Sequence, residues 1–365
     1  MSPRIDIQPC FTYIQLTVRR ILFKISSRET VQIQGLSALV TGASGFIGGR
    51  LAERLSAEEG VRVRAMVRDE RKAERLRKLP LQIVRADLLE SESLRRAING
   101  CDLVFHCAAL VRETGDRNEF LRINVEGTEN VLSASRETGV KKFIHFSSVS
   151  VYGLDPPDGA DEATPFQPCR NLYCDTKIAG EKAVWAAYQE AGLPVVVIRP
   201  ANVYGPYSNP WTVRPIKLIK SGQMMLINGG TGLCNHVYID NLLDATLAAT
   251  KRDESVGEVY LISDGTTVTW REFFGYYAVM AGKPKIRSVP EWFGKAIALS
   301  MEVASTFTGK PPKITREAVG FLTRKARFSI EKARRDLNYQ PRFSLKEGMA
   351  LTEKWLRETG VLPRV

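Results

Sequence analysis

Six short apolar runs, at 36–41, 61–67, 81–84, 102–107, 141–147 and 194–199, alternate with charged segments at 46–58, 70–78, 91–98, 117–138 and 172–191. Runs this short and this apolar suit strands buried on both faces, and the segments between them repeat at the helical period. That alternation points to βαβ units stacked into a parallel, doubly wound α/β sheet of the Rossmann type. From about residue 200 the rhythm gives way to Pro- and Gly-rich stretches such as "RPANVYGPYSNPW" and "INGGTG". The expected division is a dinucleotide-binding region over 35–200 and a smaller mixed α/β substrate-binding region over 201–365, parts of which can return to the sheet. Residues 1–34 read as an N-terminal extension that is poorly ordered. In it "CFTYIQLTVRRILFKISSRET" mixes apolar and basic residues without caps or a clean period, so a membrane-surface or targeting segment is the other reading.

The chain carries 52 Lys and Arg against 40 Asp and Glu, a net charge of +12. The positive residues are interleaved with acids, as in "RDERKAERLRK" (68–78), which reads as a solvated helix face. No nucleic-acid partner is therefore expected, and an anionic cofactor accounts for part of the bias. No apolar run reaches the roughly 18–20 residues that span a bilayer. The six cysteines form no CxxC pair and no His/Cys cluster at metal spacing, so free thiols in a reducing cytoplasm and no metal are expected. His106, His145 and His236 are dispersed and read as structural.

The first run leads into "TGASGFIGGR". Gly42 permits a tight turn, Gly45 lets the backbone approach a pyrophosphate, and Gly48 lets helix and strand pack closely. The helix that opens there offers unpaired N–H groups and a positive dipole to the anion. The second strand ends in "VRVRAMVRD", where NAD-binding loops carry an acid for the ribose. Arg68 stands there instead, with Asp69 next. A guanidinium grips a 2′-phosphate, so NADP(H) is expected, with NAD(H) through Asp69 as the alternative. Asp87, where the third strand ends, suits the adenine amino group.

"NLYCDTK" sets Tyr173 and Lys177 four residues apart on one helix face. A tyrosine with pKa near 10 is a poor base at neutral pH. An ammonium one turn away, with an oxidised nicotinamide, is expected to bring it down. Ser148, at the end of the fifth strand, could polarise the reacting oxygen.

In order along the chain stand "TGASGFIG", "HCAA" (106–109), Asn124 in "RINVEGT", "FSSVSVYG", "YCDTK" and "RPANVYGP". With the later "HVYIDNLLDA" and "EKARRDLNYQPRFSLKEG", these resemble the extended short-chain dehydrogenases/reductases over roughly residues 36–360. The resemblance implies Tyr173 as acid/base, Lys177 as ribose clamp and Ser148 as carbonyl hydrogen-bonder. Asn124 would be structural. Gly42, Ser44, Gly45, Phe46, Ile47, Gly48, Arg68, Asp87, Leu88, Ala108, Ala109, Pro200, Asn202 and Val203 would line the cofactor beside Tyr173 and Lys177. Thr176 stands where the motif usually has Ser. By analogy the helices 117–138 and 172–191 would pair two copies as a homodimer.

Within that superfamily, 4,6-dehydratases carry an Asp–Glu pair where this chain has Val149 and Ser150, so dehydration is not expected. Sugar-nucleotide enzymes place an arginine where Cys234 and Asn235 stand, although Arg324, Lys325 and Arg327 could compensate. "PEWFGKAIALSMEVASTFTGKPPKIT" (290–315) reads as a helix bearing Trp292, Phe293, Ile297, Leu299, Met301 and Val303. It is expected in the substrate-region core, or as a hydrophobic pocket or membrane-surface patch. The 3β-hydroxysteroid/sterol dehydrogenase-like branch has this character. The expected function is an NAD(P)-dependent oxidoreductase interconverting a secondary alcohol and a ketone on a sterol-like or long-chain substrate. A nucleotide-sugar epimerase of UDP-hexose type is the alternative, and a non-enzymatic nucleotide sensor the third reading.

Overall fold

The computed structural model describes residues 30–112, 114–309, 312 and 314–363. The expected N-terminal extension lies, over residues 1–29, outside that range. Residues 30–34 are tied down: Ile33 is buried, and the Val31 N–H donates to the Lys251 carbonyl at 2.7 Å.

Strand β1 (Ser37–Thr41) leads into helix α1 (Phe46–Ala57), then β2 (Arg62–Val67), β3 (Gln82–Arg85), α2 (Ser91–Ile98) and β4 (Leu103–His106). Helices α3 (Arg117–Leu121) and α4 (Gly127–Glu137) follow, joined by a π turn over Arg122–Glu126. Next come β5 (Lys142–Phe146), α5 (Leu172–Ala191), β6 (Val195–Pro200) and β7 (Asn202–Tyr204). The remainder supplies α6 (Arg214–Lys220), β8 (Met225–Ile227), β9 (Leu233–Tyr238), α7 (Ile239–Thr250), β10 (Glu258–Ile262), β11 (Thr267–Thr269) and α8 (Trp270–Met280). It ends in β12 (Arg287–Val289), α9 (Glu291–Thr308), α10 (Arg316–Thr323), α11 (Glu331–Leu337) and α12 (Leu345–Glu358).

Seven strands form one sheet in the order β10-β6-β5-β4-β1-β2-β3, every pair parallel. Strands β4, β5 and β6 are buried along their whole length, as mostly apolar strands covered on both faces are. Leu51, Leu55 and Leu243 cover one face, and Leu94, Ile98, Val131 and Val184 the other. Each fully buried side chain of this size contributes roughly 1.5–3 kcal/mol of transfer free energy. The strand order reverses between β1 and β4, and crevices for ligands open at the carboxyl ends of such a switch point.

Two expectations change. The segment 70–78 forms two short 3₁₀ turns, Glu70–Lys72 and Leu76–Lys78, in place of a helix. Asp69 caps the first turn through the Arg71 N–H, and Pro80 ends any continuation of the second. Helix α9 forms, but it buries only Gly294 and Ala298. Trp292 is 71% exposed and Phe307 85%, so its larger side chains serve neither the core nor the main cleft.

Candidate active site

The glycine loop is shaped by contacts that leave no room for side chains. Gly42 has φ +66°, and a Cβ there would lie 2.8 Å from Ala108 Cα. A Cβ on Gly48 would lie 2.5 Å from the Gly42 carbonyl oxygen, so the close helix–strand approach requires glycine. At Gly45 a Cβ would meet only the Gly42 oxygen, at 3.1 Å, which leaves its outer side open. Gly45 is also the N-cap of α1 and gives it no side-chain cap, so the first-turn N–H groups face the cleft mouth unsatisfied by side chains. The cradle fits a dinucleotide pyrophosphate. Arg50 and Arg54 on the same helix bind Asp240 and Asp244 of α7 at 2.9 and 2.6 Å, which fixes the cradle against the C-terminal half.

From this loop a cleft of about 1400 Å³ runs along the carboxyl ends of the strands. Gly42, Ser44, Gly45, Phe46, Ile47, Gly48, Arg68, Asp87, Leu88, Ala108 and Ala109 line it, as do Ser148, Tyr173, Pro200, Asn202 and Val203. Asp69 is engaged elsewhere: Arg71 donates to both its carboxylate oxygens, at 2.9 and 3.0 Å, and holds it down to about 2. Arg68 is exposed and has no hydrogen-bond or ion-pair partner among the described residues. Lys72, within the stretch read as a solvated helix face, lines the same cleft.

Ser148 ends the β5 loop as the cap of a 3₁₀ turn, accepting the Ser150 N–H at 3.1 Å. Its hydroxyl and the Tyr173 phenol both line the cleft. Asn171 caps α5 through the N–H groups of Tyr173 and Cys174, which sets the phenol at the helix entrance. Lys177 does not line the cleft. It is buried below it, and its Nζ donates to the Phe146 carbonyl at 2.6 Å. Burial brings this ammonium down to about 8. The expected lowering of Tyr173 by Lys177 is not seen. Burial raises the phenol instead, and the Ser148 hydrogen bond only opposes that rise.

Behind the trio lies a network that spacing did not reveal. Glu181, one turn beyond Lys177 and fully buried, binds Arg199 Nη2 at 2.6 Å, Trp185 Nε1 at 3.1 Å and the Ser147 hydroxyl. Arg199 in turn donates to the Tyr152 hydroxyl at 2.8 Å. Asn124 accepts the Leu110 N–H at 2.7 Å and donates to Thr176 Oγ1 at 3.0 Å, a structural tie between the π turn and α5. His106 bridges Thr41 and Thr128 at 2.9 and 3.0 Å, and burial lowers it to about 3, so it stays neutral. Cys169, Cys174 and Asp175 bring ligand-type atoms within 4.8 Å of one another, a juxtaposition the sequence spacing had hidden. Asp175 accepts the Cys169 N–H at 3.1 Å, and the Cys174 thiol donates to the Ser150 carbonyl at 3.0 Å.

The family model described as "NAD dependent epimerase/dehydratase family" matches residues 38–263. The chain is 32% identical over 336 residues to a 4-hydroxy-2-methyl-3-oxo-4-farnesyl-3,4-dihydroquinoline-1-oxide ketoreductase of Stigmatella aurantiaca, covering 90% of this chain and 99% of that one. It is 31% identical to a 3-beta-hydroxysteroid dehydrogenase of Mycolicibacterium neoaurum, with 86% and 89% covered. Among solved structures, UDP-glucose 4-epimerase of Thermotoga maritima with UDP-glucose aligns with a TM-score of 0.72 at 25% identity, over 89% of this chain and 99% of that one. The chain accordingly belongs to the NAD-dependent epimerase/dehydratase family of extended short-chain dehydrogenases/reductases, and is an enzyme of the dehydrogenase/reductase kind.

Proposed function

We propose that this enzyme interconverts a ketone and a secondary alcohol on a hydrophobic substrate, using NADP(H) in preference to NAD(H). The observation that carries the reading is that the Tyr173 phenol and the Ser148 hydroxyl share the cleft that begins at the glycine cradle. A bound nicotinamide dinucleotide supplies or accepts the hydride. Ser148 donates to the substrate oxygen and polarises it, and Tyr173 gives that oxygen a proton in reduction or removes it in oxidation. Lys177 holds its ammonium below the cleft one turn along α5, bound to the Phe146 carbonyl. Arg68, free at the end of β2, takes the 2′-phosphate, while Asp69 stays bound to Arg71. Leu110, Val111, Leu154, Trp211 and Phe321 give the rest of the cleft its apolar walls. Names of the two relatives above, a farnesylated ketone reductase and a steroid dehydrogenase, support a hydrophobic substrate.

Tyr173→Phe keeps the ring and removes the proton carrier. Turnover of a hydrophobic ketone with NADPH should fall by about 10²–10⁴-fold, while NADP(H) affinity stays within about twofold. Turnover within tenfold of wild type would refute the assignment. The likeness to a UDP-glucose epimerase supports a second reading, an epimerase that recycles its own cofactor. Tightly bound NAD in the purified protein, together with conversion of a UDP-hexose, would favour it.

A further inference from the structure

The C-terminal half contributes two cations to the cleft that the reaction as described does not use, the exposed Arg214 and the buried Arg324. Arg324 lines the cleft and is 7% exposed, yet its Nε and Nη2 atoms have no hydrogen-bond partner. No carboxylate among the described residues lies within ion-pair distance of it. Its guanidinium packs over the Phe321 ring at 4.3 Å and near the Phe328 ring at 5.4 Å. The rings give the guanidinium an aromatic bed, and its Nε–H and Nη2–H groups are left without acceptors among the described residues. Burial lowers the group to about 10, which still leaves it charged at neutral pH.

A buried, unpaired charge is costly and does not persist through packing alone. The backbone around Arg324 is nonetheless held in place. Its carbonyl accepts the Leu233 N–H at 2.8 Å. Asn235 donates to the Ala326 carbonyl at 2.9 Å and accepts the Phe328 N–H at 3.1 Å. Gly232 meets the Leu322 carbonyl so closely that a Cβ would collide with it. Residues 232–235 therefore do not supply a cation, but they fasten the stretch that does. Of the three basic residues there, Lys325 donates to the Thr231 carbonyl and Arg327 pairs with Asp158. Arg324 alone reaches the cleft.

We propose that Arg324 receives a carboxylate carried by the hydrophobic ketone or alcohol substrate, an inference that rests on the function proposed above. A planar fork with free edges matches the two oxygens of a carboxylate, and one buried cation balances one charge. The substrate class is thus an anionic amphiphile: an apolar body, a reacting oxygen at Ser148 and Tyr173, and an acidic head at Arg324.

The test is a ladder of oxo-octadecanoic acids, with the ketone at successive carbons from 3 to 10, each compared with its methyl ester. NADPH oxidation gives kcat/KM, and melting curves with NADP⁺ report binding without turnover. For at least one spacing the acid should exceed its ester by about tenfold or more in kcat/KM. The same acid should raise Tm, and its ester should not. Arg324→Gln should bring the acid-to-ester ratio to within twofold of one and abolish the Tm difference. Arg324→Met, which removes the unpaired charge, should melt higher than wild type without ligand, the opposite of a merely structural arginine. Equal use and equal binding of acid and ester at every spacing would overturn the carboxylate site and leave the reductase standing. Acid binding through Arg324 with no reduction of any ketone would keep the site and overturn the reductase. A preference for acid that survives Arg324→Gln would also overturn the inference.

Discussion

At the scale of single residues, the site is set by where charges lack their usual partners. Arg68 and Asp69 are neighbours, but Asp69 is held by Arg71 and Arg68 is left to the cleft. Arg68→Ala should therefore weaken NADP(H) by tenfold or more and NAD(H) by less than threefold, as read by titration. Equal losses for the two cofactors would refute a 2′-phosphate contact. Lys177 carries a pH signature. Its folded value of about 8 lies below the roughly 10.4 of an unfolded lysine. Between these values the unfolded chain still holds a proton that the folded chain has released, so stability rises with pH across that window. Urea midpoints should show wild type gaining on Lys177→Met, on the order of 3 kcal/mol, between pH 8 and 10.5. No gain would mean that the ammonium is not buried as described.

At the scale of elements, α5 carries Tyr173 on its first turn and is pinned from behind by Glu181. Removing one member of a buried ion pair leaves the other uncompensated, at a cost of about 3–5 kcal/mol. Glu181→Ala should lose stability of that order in urea, and adding Arg199→Met should restore part of it. Additive losses would show that the pair does not act as a unit. Helix α9 illustrates how far a pattern can mislead. Its apolar residues repeat at helical spacing, which fixes the helix but not the direction its faces turn. Only Gly294 and Ala298, its small residues, meet the core. The segment 70–78 errs the other way: its charges suggested a solvated helix, while an Asp cap and a proline shortened it to two turns.

For the whole molecule, the sheet could be read from the chain because buried parallel strands appear as unbroken apolar runs. All six runs named from the sequence overlap a strand of it to within a residue. The glycine cradle was equally legible, since its chemistry is local: three spacings and a positive φ. What could not be read were partners brought together from far apart. Arg199 and Glu181 are 18 residues apart, Arg54 and Asp244 are 190 apart, and Arg324 sits beside the cleft in a loop tied to β9 through the Leu233 N–H. No periodicity encodes such distances. The seventh strand, β10, was missed for a related reason. "EVYLI" lies among loops, and only its pairing with β6 gives it a place.

That pairing bears on how the chain is born. Strand β6 is bonded to β5 on one side and to β10 on the other. When the ribosome has emitted the chain only as far as Pro200, β6 is an open edge, apolar but for Arg199. Its cover lies about sixty residues downstream, several seconds of synthesis at ~5–20 residues per second. During that interval the nascent chain offers a template for sticking to its neighbours. A fragment cut after residue 200 should partition into the insoluble fraction on expression, whereas one cut after residue 266, which includes β10, should stay largely in the supernatant. Equal solubility of the two would show that the edge is protected by something other than β10.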